Sequence, residues 1–401
     1  MNSSEIKIGK TYPLTSQELN NIDQKSFALN YQGNSVQELA NILSSLVTTE
    51  AEKARIIYAW ITDNIAYDVE MLEKDIYWTD VTAKTVLKKR QTVCSGYSNL
   101  YQALAKAMGL DVVIIEGTAT GASYVVGDSN INHAWNAVKI DDQWYLLDTT
   151  WGAGTVQQNQ FRQQFNPYYF ATPPEQLIFS HFPANVNWQL LEQPYTMEDF
   201  QEFPTVSPDF FKKQINFMSH ETKVIMMETP TKILLSVPQD MIVTTRLKKN
   251  QQVLPDYYSL VQKQEETVTI KTAFPQLGKY KLEVFADSPQ SQNYPHILTY
   301  NIKANYTSSP FPKTYPIFQD NTGYLYTPLN YQLPKNQRVN FKLKIQNATD
   351  IQIINTATNQ WTQLTRFDQL FIGTAKVGNS PMKVVAQFPG DRRYWTLLEY
   401  N

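Results

Sequence analysis

Arg90-Gln91-Thr92-Val93-Cys94-Ser95-Gly96-Tyr97-Ser98-Asn99-Leu100-Tyr101 carries the only cysteine of the 401-residue chain. Behind it Leu100, Leu104 and Met108 recur every four residues, with Tyr101 and Ala105 alongside, which predicts a helix with one apolar face. Gly109 stands where a left-handed helix stop falls. Cys94 is thereby set at the helix N-terminus, where unpaired N–H groups and the positive dipole end favour a thiolate. A free cysteine is by default a small buried hydrophobe, so the helix alone does not make a nucleophile.

Downstream, Asn132-His133-Ala134-Trp135-Asn136-Ala137-Val138-Lys139-Ile140 predicts a strand, and Asp141-Asp142 a turn. Gln143-Trp144-Tyr145-Leu146-Leu147-Asp148-Thr149-Thr150-Trp151 predicts a returning strand. With a two-residue loop, Ile140 faces Gln143, Trp135 falls opposite Asp148, and His133 is the diagonal neighbour of Asp148 on the same face. Diagonal cross-strand neighbours lie about 7–8 Å apart at Cα, within side-chain reach. A slip of one residue would put the two on opposite faces. A cysteine at a helix start, with histidine and aspartate meeting on a hairpin, supplies a nucleophile, a proton shuttle and an orienting carboxylate for acyl transfer.

Cys94-Ser95-Gly96-Tyr97, Asn132-His133-Ala134-Trp135-Asn136 and Trp144-Tyr145-Leu146-Leu147-Asp148-Thr149-Thr150-Trp151-Gly152 resemble the three motifs of the transglutaminase-like superfamily of papain-like enzymes. Gly152-Ala153-Gly154, Phe165-Asn166-Pro167-Tyr168-Tyr169-Phe170 and His181-Phe182-Pro183 resemble its kyphoscoliosis-peptidase branch more narrowly. The likeness is good over residues 35–195 and looser beyond. It implies an α+β papain/transglutaminase-like core followed by two all-β immunoglobulin-like sandwiches, and a cysteine-dependent enzyme acting on peptide or glutamine side-chain amides. Its catalytic residues would be Cys94, His133 and Asp148. Gln91, Trp78 and Trp135 are candidates for a second oxyanion donor or a substrate contact.

Composition sets the outer bounds. A length of 401 residues suggests two to three domains. A net charge of −2 gives no bulk attraction to nucleic acid. One cysteine forbids an internal disulfide. Met1–Gly9 has no apolar core of signal-peptide length, and no stretch approaches a membrane span. A cytoplasmic product is expected, with specialised export or removal of a signal as the routes left open. No metal-ligand spacing, phosphate-binding loop or dinucleotide fingerprint occurs, so no cofactor and no metal are expected.

The organisation follows the composition along the chain. Residues 1–34 are polar, with a short helix expected near Thr15–Asn20. Ser35-Val36-Gln37-Glu38 and Thr49-Glu50-Ala51-Glu52 are capping boxes that open two helices. A further helix is expected over Asp80–Arg90, then a strand over Asp111–Glu116. The excursion marked by Gly117, Gly121 and Gly127 is a candidate substrate wall or an ordinary surface loop. Residues 161–200, rich in aromatics and proline, predict a strap packed over the core, within a catalytic domain of residues 1–200. His181 lies in this strap and lacks a strand-paired carboxylate, so His133 is preferred. Beyond it, seven short strands between 224 and 302 and seven more between 324 and 399 predict immunoglobulin-like sandwiches over 201–308 and 309–401. Ser308-Ser309-Pro310-Phe311-Pro312 is expected to be a joint that few contacts cross.

Two functions compete on this reading. One is a peptidase or acyltransferase, with hydrolysis favoured over amine transfer. The other is a non-catalytic scaffold that binds a protein partner through its β-sandwiches, since fold alone does not license a function.

Overall fold

A computed structural model describes residues 7–9, 11–73, 80–120 and 130–401. The chain divides between Gln201 and Glu202 into two compact units. Trp78 and residues 121–129 of the glycine-marked excursion lie outside the described residues.

The first unit opens with helices α1 (Ser16–Phe27), α2 (Val36–Ser45) and α3 (Glu50–Asn64). Thr15 with Glu18 and Thr49 with Glu52 form reciprocal capping boxes, each satisfying orphan N–H groups of the first turn. Ser35 caps Glu38 N in the same way, but Glu38 turns to the Tyr31 hydroxyl (2.8 Å), so that box is half closed. Helix α1 runs seven residues past its expected end at Asn20. Its inner face is fixed by Asp23, whose two oxygens accept from Nε and Nη2 of Arg55 at 2.7 Å each. A buried polar pair of this kind leaves no hydrophobic periodicity to read.

Helix α4 (Ala83–Lys89) ends on Arg90 in the left-handed region (φ 57°) and leads through Gln91–Thr92 into α5 (Cys94–Ala107). Gly109 takes φ 81° at the predicted stop. A Cβ on Gly96 would fall 1.9 Å from Oγ1 of Thr92, so only glycine lets the first turn of α5 lie this close to the preceding strand. The rest of α5 is held by buried tyrosines: Tyr97 donates to Ile65 O (2.6 Å) and Tyr101 to Ala54 O (3.2 Å). Tyr58 and Trp60 of α3 are fully buried in the same core, Tyr58 against Phe165 and Phe170 and Trp60 against Tyr31, and each such side chain contributes about 1.5–3 kcal/mol by leaving water.

The sheet behind α5 has five antiparallel strands: β1 (Val112–Ala119), β2 (His133–Ile140), β3 (Gln143–Leu147), β4 (Phe170–Thr172) and β5 (His181–Pro183), in the order β4-β3-β2-β1-β5. The β2–β3 register pairs Ile140 with Gln143 and Asn136 with Leu147, and Asp141 and Asp142 both take positive φ (48° and 64°), as a tight two-residue turn requires. The returning strand is shorter than expected. It ends at Leu147, because Asp148 caps helix α6 (Thr149–Ala153) instead of continuing the ladder. The segment 161–200 packs Tyr169, Phe170, Leu177 and Trp188 on the core, and it also supplies β4 and β5, one on each edge of the sheet. Three-residue strands are too short to leave an alternation in the sequence.

In the second unit, residues 205–304 form a six-stranded and a four-stranded sheet closing on Ile225, Ile233, Ile270, Leu282 and Tyr300. Residues 313–400 repeat the arrangement with five and four strands around Phe341, Ile353, Phe371, Val384 and Tyr400. The segment 308–312 is packed rather than loose. Phe311, 9% exposed, sits with Leu260 and Ala273, its N–H donates to Tyr257 O (2.8 Å), and the buried Gln262 amide donates to Leu325 O (3.1 Å).

Candidate active site

Three elements converge on Cys94. Helix α5 presents it in its first turn, where the N-cap residue Val93 offers no capping side chain. Strand β2 brings His133, and the β3–α6 junction brings Asp148. Asn136, fully buried, ties the first two together by donating through Nδ2 to Ser98 O of the helix and Val113 O of β1, both at 3.2 Å. Asn132 bonds Ala119 in both directions and fixes the start of β2. These two contacts give the asparagines flanking the histidine a physical role.

His133 lies 2.8 Å from Oδ2 of Asp148 through Nε2, and its other face hydrogen-bonds the Cys94 thiol. Oδ1 of Asp148 accepts from Thr150 N (2.7 Å) and Trp151 N (3.1 Å). Cys94 is partly exposed, while His133 and Asp148 are buried. Burial pushes the Cys94 thiol up, but the hydrogen bond and charge of His133 and a bond from Ala134 N–H outweigh it, and the thiol ends below its ordinary value. Ala134 is free to donate because β3 pairs with β2 only from Asn136 onward. Burial works against a charged His133, yet Asp148 and Cys94 push it up to about 10. Burial likewise opposes ionised Asp148, and the two imidazoles around it hold it below the usual carboxylate range. Both shifts move the pair toward a thiolate beside an imidazolium, backed by a carboxylate.

Residues 37–149 match the model of the transglutaminase-like superfamily, and residues 197–315 that of the KY-like immunoglobulin-like domain. The chain carries a transglutaminase-like domain. It is 30% identical over 278 residues to kyphoscoliosis peptidase of Mus musculus, an alignment covering 68% of this chain and 41% of that protein. Hillarin of Drosophila melanogaster is 26% identical over 303 residues, covering 68% of this chain and 36% of its own. Lim and transglutaminase domain protein ltd-1 of Caenorhabditis elegans is 29% identical over 202 residues, covering 47% and 28%. The chain thus spans less than half the length of each of these relatives.

Within the transglutaminase-like domain the other residues singled out by sequence fall apart. Gln91 is exposed on the short Gln91–Thr92 strand. Trp135 is 1% exposed and lies behind the site, its ring stacked 6.0 Å from that of His133. A tryptophan so deeply enclosed is a wall for the imidazole, not a substrate contact.

His133 keeps the place beside Cys94, but the expectation that set His181 aside, that it lacks a carboxylate, is corrected. Its Nε2 lies 3.0 Å from the same Oδ2 of Asp148, and its ring centroid is 5.4 Å from that of His133. The carboxylate it meets is not strand-paired with it, so no hairpin register pointed there. The aromatic box around the two histidines adds Trp151, 5.8 Å from His133 and 4.5 Å from His181. The ligand-type atoms of His133, Asp148 and His181 lie within 4.8 Å of one another, close enough to share a cation. Each is already satisfied by hydrogen bonds within the trio. Among the described residues, no helix is long and apolar enough to cross a membrane.

Proposed function

We propose that the chain is a cysteine-dependent acyl-transfer enzyme acting on peptide or glutamine side-chain amides, with Cys94 as nucleophile, His133 as proton shuttle and Asp148 as orienting carboxylate. The observation that carries the reading is the placement of one buried imidazole between a thiol and a carboxylate, with Nε2 committed to the carboxylate. The thiolate attacks the amide carbonyl, and the N-terminal N–H groups of α5 face the oxygen that becomes negative. His133 gives its proton to the leaving amine, so the C–N bond breaks and an acyl-thioester remains. Water, deprotonated by the now neutral His133, then releases the acid and restores Cys94. Hydrolysis is favoured over transfer to an amine because transfer needs a seat that holds the amine and excludes water. Cys94 is partly open.

Incubation with a glutamine-containing protein and a labelled primary amine tests this. Cys94-dependent cleavage or deamidation is expected, and Cys94-dependent amine incorporation alone would reverse the choice of acceptor. The β-sandwiches are proposed as the surface for a protein partner. Trp361 and Trp395 stay 43% and 40% exposed there, with their indole N–H groups held by Asn359 and Asp391.

A further inference from the structure

Asp148 has no acceptor site to spare. A carboxylate offers about four lone-pair positions. Thr150 N and Trp151 N take Oδ1, while His133 and His181 take Oδ2 at 2.8 and 3.0 Å. The acyl-transfer chemistry uses only one of these imidazoles, so the second calls for an explanation.

The protonation of His181 follows from its other neighbour. Its Nδ1 lies 2.8 Å from the Ser180 hydroxyl. A neutral imidazole has one donor and one acceptor nitrogen. If Ser180 donates to Nδ1, Nε2 carries the hydrogen and donates to Oδ2. The reverse tautomer would turn a ring lone pair onto a carboxylate oxygen at 3.0 Å with nothing between them. A doubly protonated His181 is disfavoured too. The side chain is buried, and it lies beside the cationic ring of His133 in a box of Trp135, Trp151 and Tyr169. Burial pushes its pKa down, the hydrogen bond and charge of Asp148 pull it part of the way back, and the charge of His133 adds a smaller push down.

From this geometry we infer that His181 is a positioning residue: neutral and protonated at Nε2, it fixes Oδ2 of Asp148 toward His133 and takes up part of the carboxylate's charge. The inference rests on the acyl-transfer reading of Cys94, His133 and Asp148. Its consequence has a definite sign. With the second donor removed, the full carboxylate charge falls on His133. The imidazolium is then held more tightly, so His133 gives up its proton at higher pH and becomes a poorer acid toward the leaving amine. A side chain that merely filled space would, on removal, loosen the pair and let His133 lose its proton at lower pH. The titratable groups facing this cluster are Cys94, His133 and Asp148, with the phenols of Tyr58, Tyr67, Tyr97 and Tyr169. Those of Tyr58, Tyr67 and Tyr97 are pushed up by burial and stay neutral across the range tested.

Imidazole NMR against pH follows the His133 ring directly. His181→Phe is expected to raise the pH at which that ring loses its proton by about one unit, the scale of one hydrogen bond to a charged group. His181→Gln keeps an N–H at about the reach of Nε2 and is expected to restore the wild-type titration. Nitrogen-15 NMR of the wild-type chain, which has four histidines, is expected to find His181 neutral and protonated at Nε2. That spectrum needs no variant to fold. An unmoved or lowered His133 titration in a folded His181→Phe, or a His181 protonated at Nδ1, overturns the inference while leaving the acyl-transfer reading in place. A wild-type thiol titrating near 8.5, the free-cysteine value, would overturn both.

Discussion

His133 presents Nε2 to Asp148 at 2.8 Å and thereby leaves Nδ1 for Cys94. The imidazole is gripped at one nitrogen, and in the proposed mechanism the other carries the proton. One equivalent of iodoacetamide should therefore label the folded chain near pH 6.5 faster than the denatured chain and end its activity. His133→Ala should abolish the difference. Equal rates in folded and denatured protein would count against a catalytic cysteine.

The charge state has a pH window. The pKa of His133 rises from an unfolded 6.5 to about 10, so its stabilisation is complete below 6.5 and disappears as pH climbs through 10. Asp148 behaves oppositely. Its pKa is depressed, so its contribution is present above the ordinary carboxylate value and is lost as pH falls below it. Thermal melts of wild type and His133→Ala should accordingly diverge at neutral pH and converge above pH 10. Parallel curves across that range would contradict an imidazolium in the folded state.

Asp148→Asn should lower turnover by about four orders of magnitude, the effect of losing the imidazole-orienting carboxylate. It should also destabilise the fold by about 3–5 kcal/mol, since a buried cation loses its partner. Urea titration beside steady-state kinetics separates the two effects. Near-normal activity in a folded variant would remove Asp148 from the mechanism.

The ion pair of Asp23 and Arg55 is buried on both sides, and the guanidinium lies 4.8 Å over the ring of Phe170. Asp23→Ala should cost about 3–5 kcal/mol, because it leaves a charged guanidinium without its partner. A double variant, Asp23→Leu with Arg55→Met, should recover much of that. Denaturant midpoints of the two variants provide the test.

Because Phe311 is seated against Leu260 and Ala273, residues 1–308 cut from the chain should expose apolar surface and associate. Size-exclusion chromatography distinguishes this from a clean monomer. Phe311→Ala in the full chain should destabilise it by about 3–5 kcal/mol, the range for truncating a buried phenylalanine.

How much of this was legible depends on which contacts are local. The β2–β3 register could be read because two aspartates between alternating strands specify a tight turn, and the meeting of His133 with Asp148 follows from it. The Cys94 helix could be read from its leucines and from Gly109. His181 could not, because it reaches Asp148 from a three-residue strand whose partner is Ala119, far away in sequence. Helix α1 was under-read because Asp23 and Ser26, both polar, form part of its buried face. The joint at 308–312 was misread because its prolines suggested a spacer while Phe311 between them is an anchor.

The strands Phe170–Thr172 and His181–Pro183 cap opposite edges of one sheet although only Pro173 to Ser180 separate them. A sheet edge is a row of unpaired N–H and C=O groups that can recruit another chain. Here one short stretch covers part of each edge, Gly117–Ala119 on one side and Leu146–Leu147 on the other, with strands of three residues, too brief to template another chain. The same clasp that delivers His181 therefore guards the domain against edge-to-edge aggregation. A ribosome-bound chain that has not yet released residue 183 would lack that protection along the outer side of Gly117–Ala119.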